Sequence, residues 1–240
     1  MYRSTTIAVH GHPMNTLIFE PVGPGPHPGL IIAQHLPVAH AGLEKDPFTL
    51  DIGERFAAAG YLCAIPFIFH WWPEDEDVTV KREGFRDDWT VADLTATFAY
   101  LAGLEAVDEA RIGLLGHCWG GRVAWLGACS LPGLKACGVF YGGRVNVAFA
   151  DGATPPIDLA HHIRCPVLGV FGNEDQNPSP DLVNAYEDAL KRAGVPYAIH
   201  RYAGAGHGFQ DHTNPDRYRQ DQSEDAWAKT FAFLEKNLGA

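Results

Sequence analysis

Gly116-His117-Cys118-Trp119-Gly120-Gly121 follows the apolar run Arg111 to Leu115 and precedes a helix-compatible segment, Arg122 to Cys129. The succession reads as strand, sharp turn and helix, with a thiol at the turn. It is the nucleophile-elbow pattern, carrying cysteine where serine is usual. A residue at such a turn is pushed toward backbone angles that side chains avoid. Gly116 and Gly120, two residues to either side, lack a Cβ and let neighbouring backbone come close. At a helix start the sulfur meets free N–H groups and the positive end of the dipole, both of which favour thiolate. The amide of Trp119 can then face an oxyanion formed during acyl transfer. The plainer reading is a structural cysteine beside packing glycines, and it has to be weighed against the rest of the chain.

An elbow nucleophile needs a base, and the base needs an orienting acid, in the chain order nucleophile, acid, histidine. Pro166 to Gly172 reads as a buried strand running into Asn173-Glu174-Asp175, and a later strand leads into Gly206-His207-Gly208-Phe209. Asp175 lies 57 residues after Cys118, and His207 lies 32 residues after Asp175. Both fall just past strand C-termini, where open α/β sheets bind ligands. His207 is therefore the candidate base and Asp175 the acid that fixes its tautomer, with Glu174 the rival acid. Singly, Asp175 suits turn chemistry and His207 a loop hydrogen bond; three elements in order make coincidence a poor account. The second oxyanion donor belongs to the loop His35-Leu36-Pro37-Val38. Pro37 has no N–H, so Leu36 is the candidate.

Outward from these motifs, short apolar strands alternate with helix patterns, as in a mostly parallel sheet with helices on both faces. Thr5 to Val9 and Thr16 to Glu20 suit an opening hairpin, and Gly29 to Gln34, Tyr61 to Pro66, Ala136 to Tyr141 and Pro196 to Tyr202 suit further strands. Asp46-Pro47 reads as an N-cap and first helical residue, with Phe48, Ile52 and Phe56 at helical spacing and Gly60 as the stop. Val91, Leu94, Phe98 and Leu101 mark another helix, Ser179-Pro180 starts one closed by Gly194, and Trp227, Phe231, Leu234 and Leu238 form the stripe of the last. Residues 67 to 85 form a long connection holding Trp71, Trp72 and an acidic run at 74–77.

The 240 residues fit a single domain spanning 1–240. The net charge of −11, with no basic cluster, argues against a nucleic-acid partner. Five cysteines without a Cys-x-x-Cys spacing argue against a disulfide framework and fit a reducing, cytoplasmic setting. No segment has the length of a membrane span and no leader is legible, so no membrane partner is expected. The pairs His10-x-His12 and His161-His162, and His207 with His212, lack a recognised metal spacing, so no metal is expected. Gly23-Pro24-Gly25-Pro26 lacks the residues of a phosphate loop.

Gly-His-Cys-Trp-Gly-Gly, the strand Cys165-Pro166-Val167-Leu168-Gly169 before Gly172-Asn173-Glu174-Asp175, and Gly206-His207-Gly208-Phe209 together resemble the motifs of the dienelactone hydrolase family. The agreement in order and spacing runs from about Ala8 to Leu238. The resemblance implies an α/β-hydrolase fold of about eight strands. It also implies hydrolysis of small esters or lactones by a Cys118–His207–Asp175 triad, through a thioester and without a cofactor. The chain departs from the family twice. A glutamate is expected after Gln34, where His35 stands, and an arginine is expected four residues past His207, where Asp211 stands. Lys81, Arg82, Arg86 or Arg144 could supply the missing cation.

His35 reads either as a polar group beside the thiol or as a loop-bonded histidine. Trp71, Tyr141 and Phe209 are candidate pocket residues with His35, packing being the alternative, while Trp72 reads as packing. The expectation is a small-molecule ester or lactone as substrate and a monomer or homodimer. The alternative is a non-hydrolytic ligand-binding or acyl-transfer protein on the same fold.

Overall fold

The computed structural model describes residues 2–150 and 152–239. The chain opens with a hairpin, β1 (Tyr2–Val9) and β2 (His12–Phe19), paired antiparallel with Val9 opposite His12. The two residues between them, His10 and Gly11, both have positive φ (48° and 84°), which suits a two-residue turn between twisted strands. Then follow β3 (His27–Ala33), α1 (Val38–Ala41), α2 (Pro47–Ala58), β4 (Leu62–Pro66), α3 (Val78–Glu83), α4 (Asp87–Ala102), β5 (Val107–His117), α5 (Trp119–Ser130) and β6 (Ala136–Phe140). The chain closes with β7 (Val167–Gly172), α6 (Pro180–Arg192), β8 (Tyr197–Tyr202) and α7 (Gln220–Leu238).

The eight strands form one sheet in the order β1-β2-β4-β3-β5-β6-β7-β8. β2 runs antiparallel to both of its neighbours, and every pair from β4 to β8 is parallel. Strand periodicity splits the core in two. Ile31 and Ala33 join the cluster under α4, α5 and α6, which includes Leu94, Val123 and Tyr186. Leu30 and Ile32 join the cluster under α2 and α7, which includes Phe48, Phe56 and Leu234. This is the α/β-hydrolase arrangement expected from the sequence.

The helix signals act as read. The Asp46 carboxylate accepts from the Thr49 amide at 2.8 Å, and Ser179 caps α6. Boundaries shift by up to four residues: β2 begins at His12 rather than Thr16, and β5 at Val107 rather than Arg111. Four short elements lay outside the sequence reading: α1, α3 and the 3-10 turns Leu43–Lys45 and Pro156–His162. Each is shorter than the window over which helical periodicity can be seen. The connection 67–85 is thus not wholly irregular, since it contains α3.

Candidate active site

Four parallel strands bring the chemistry to one edge of the sheet. β5 ends at His117, immediately before Cys118, β3 leads to Leu36, β7 to Asp175, and β8 to His207. Cys118 has φ 58° and ψ −117°, a conformation that costs an L-residue on the order of 1–3 kcal/mol. Its amide donates to Phe140 O at 2.9 Å, so the neighbouring strand holds the turn. The flanking glycines are needed for close approach. A Cβ on Gly116 would run into the carbonyl of Gly120, and one on Gly120 into the carbonyl of Ala33. One on Gly121 would stand 2.7 Å from Gly142 Cα.

His207 Nε2 lies 3.0 Å from Cys118 Sγ, and His207 Nδ1 lies 2.8 Å from Asp175 Oδ2. The other oxygen of Asp175 accepts from the Asn177 amide at 2.8 Å. Asp175 is buried, whereas the rival Glu174 is exposed. Burial disfavours a charged Cys118. The hydrogen bond and charge of His207, with the amides of Leu36 and Trp119, outweigh it and bring the thiol below its ordinary range. Burial likewise works against a charged His207, but Asp175 and Cys118 overcome it and push the imidazole up to about 10. The arrangement favours a thiolate beside an imidazolium, with two backbone N–H groups facing the sulfur.

A cavity of about 160 Å³ opens over Cys118, walled by Leu36, Trp119, His207 and Asn177, with Arg82 and Arg144 at its sides. A roomier cavity of about 350 Å³, beside Phe67 and Trp72, holds none of these reactive groups. The smaller one is the candidate site because Cys118 and His207 both line it.

The structure corrects the pocket expectations. His35 is turned away from the thiol. Its Nε2 bonds Asp46 Oδ2 at 2.8 Å and its ring packs on Phe48, so it ties the oxyanion loop to the start of α2. Trp71 lies outside the cavity, stacked on Trp89 with its indole N–H on Asp93, because the 67–85 connection folds back over β1 and β2. Tyr141 and Phe209 are buried and line no part of it. Tyr141 meets the His207 ring edge-on at 5.3 Å between centroids, and Phe209 packs behind it. Trp72 packs against Phe85 and Trp89, as expected.

Of the four candidate cations, Arg82 and Arg144 reach the cavity. Lys81 is buried, donating to the carbonyls of Ala39 and Glu74 at 2.7 and 2.9 Å, and Arg86 pairs with Asp88. Asp211 holds Thr213 and is not part of the cavity wall. Asn177 escaped sequence reading; its signal was its place two residues past Asp175, the candidate acid. Among the described residues, no group of three or more His, Cys, Asp or Glu is placed to hold a metal ion, and no helix is long and apolar enough to cross a membrane.

The chain is similar to known proteins along most of its length. The sequence pattern of the dienelactone hydrolase family matches residues 14–238. A Synechocystis protein named "Putative carboxymethylenebutenolidase" is 31% identical over 229 residues, covering 91% of this chain and 90% of that one. A Bradyrhizobium protein named "Probable 2-oxo-3-(5-oxofuran-2-ylidene)propanoate lactonase" is 26% identical over 240 residues, 97% of this chain and 93% of that one. The crystal structure titled "Putative Dienelactone Hydrolase" from Klebsiella pneumoniae superposes with a TM-score of 0.88 at 27% identity, covering 98% of each chain.

Proposed function

The chain belongs to the dienelactone hydrolase family and is a hydrolase, and from that premise we propose that it cleaves small carboxylic esters or lactones with Cys118 as nucleophile, His207 as acid and base, and Asp175 as the orienting carboxylate. The observation that carries the proposal is the continuous line Asp175–His207–Cys118, with contacts of 2.8 and 3.0 Å. The names of the relatives point the same way, toward enol-lactone and furanone-type substrates.

The thiolate attacks the acyl carbon, forming a C–S bond while the carbonyl electron pair moves onto oxygen. The amides of Leu36 and Trp119 hold that oxyanion. Collapse breaks the C–O bond, and His207 gives its Nε2 proton to the leaving alkoxide. In a lactone that alkoxide stays tethered to the acyl part. The neutral imidazole then takes a proton from water, and the hydroxide attacks the thioester. The acid departs, with Cys118 again thiolate and His207 again imidazolium. Asp175 accepts from His207 Nδ1 and fixes the orientation of the ring throughout.

Turnover of p-nitrophenyl acetate tests this reading. Cys118→Ala is expected to abolish it; activity at the wild-type level would discard the mechanism. Ligand retained without product, or turnover that requires an acceptor thiol or alcohol, would favour the binding or acyl-transfer alternatives.

A further inference from the structure

The two guanidinium groups at the cavity are not equivalent. Arg82 has Glu83 beside it at 3.6 Å. The Arg144 side chain makes no hydrogen bond or ion pair with any described residue, and it stands exposed on the cavity wall. No carboxylate among the described residues lines that cavity.

Arg144 is also held in an unfavourable backbone state. Its φ is +55°, in the left-handed region where a side chain is uncommon. Two features fix it there. Gly142 and Gly143 before it pack directly on Gly121 and on the Asn177 amide, so the turn is pressed against the elbow helix. The Arg144 carbonyl accepts from Arg122 Nε at 3.1 Å, and Arg122 is 1% exposed and gripped by Asp87 at 2.6 and 3.1 Å. A buried ion pair therefore holds a strained turn whose result is a guanidinium without a partner among the described residues, on the cavity that Cys118 also lines. Strain kept in place by its surroundings, at a site rim, marks a functional position. A guanidinium matches a planar carboxylate with two parallel N–H···O bonds.

We propose that Arg144 is the specificity-determining residue of this site, selecting esters or lactones that carry a carboxylate and binding that carboxylate on the wall formed by the loop after β6. This rests on the hydrolase reading of Cys118. It moves anion recognition away from the histidine loop, where Asp211 occupies the place of the family's arginine.

The test compares p-nitrophenyl hemisuccinate with p-nitrophenyl butyrate, which are close in size and differ in one carboxylate. In Arg144→Gln the ratio of kcat/KM, charged over neutral ester, is expected to fall about tenfold or more, chiefly through KM. Arg144→Lys is expected to recover part of it. A ratio unchanged in Arg144→Gln, or one that falls only in Arg82→Gln, overturns the proposal. Titrating monomethyl succinate into Cys118→Ala protein, with and without Arg144→Gln, reads the same contact without turnover. Weaker binding in the double variant is expected, and equal binding overturns the proposal. If the wild type hydrolyses neither ester, the hydrolase reading fails, and the titration still decides what Arg144 binds.

Discussion

Cys118 and His207 shift each other's proton in opposite directions, and this separates reactivity from stability. The folded thiol lies below its unfolded value of 9.0, and the folded imidazole, at about 10, lies above its unfolded value of 6.5. The raised imidazole contributes stability that is full below about pH 6.5 and is lost as pH rises toward 10. The lowered thiol contributes stability that is full above about pH 9 and is lost as acid protonates it in the folded state. Between those limits the two slopes oppose each other. From about pH 9 to 10 only the imidazole slope remains, and stability falls with base. That fall in the urea midpoint is expected in the wild type and is expected to be absent from Cys118→Ala/His207→Ala. Reactivity behaves otherwise. Alkylation of Cys118 by iodoacetamide is expected to stay fast below pH 9, and Asp175→Asn to move its midpoint upward, because the partner that keeps His207 protonated is gone. A midpoint unmoved by Asp175→Asn would mean that the carboxylate does not support the imidazolium.

At the scale of elements, α5 is the hub. Its first turn touches β3 through Gly120 and the loop after β6 through Gly121, with no room for a methyl group at either place. Gly120→Ala is expected to cost several kcal/mol, on the order of 3 or more, since both colliding groups are backbone. Equilibrium urea unfolding checks it, and a cost below about 1 kcal/mol would show that the contact relaxes. The next residue, Arg122, links α5 to the first residue of α4 through Asp87 and lies 4.0 Å from the Phe149 ring centroid. Arg122→Met leaves the buried Asp87 without its guanidinium partner, and is expected to cost about 3 kcal/mol by the same measurement. Lys81 does the comparable work for α3, satisfying the carbonyls of Ala39 and Glu74. Lys81→Met is expected to speed hydrogen exchange in α3 by about tenfold or more while leaving β5 protected.

For the whole molecule, the sheet has a helical layer on each face, and both apolar clusters share its strands. We propose that residues 1–240 unfold as one unit. Tryptophan fluorescence and far-ultraviolet circular dichroism are expected to trace one coincident urea transition, and two separated transitions would divide the chain. The sheet was legible beforehand because buried parallel strands are short apolar runs and their helices carry stripes at 3.6-residue spacing. The candidate triad was legible because each member follows a strand end, a local signature. The cavity walls were not legible in the same way. Four pocket residues were expected from their chemistry: His35, Trp71, Tyr141 and Phe209. All four line other places, since an aromatic or histidine side chain fits a core as readily as a cavity.

The sequence by itself determined the elbow, the order of the candidate nucleophile, acid and base, the strands that present them, and an aspartate, Asp211, four residues past His207. Those features are written in neighbours a few residues apart, where backbone geometry and periodicity act. Only the tertiary structure decided that His35 serves Asp46, that Trp71 lies beyond the cavity, and that Arg144 rather than Lys81 lines the cavity with Cys118. Those outcomes depend on where loops from distant strands turn and which partner reaches each charge first, a competition among contacts that no local stretch contains.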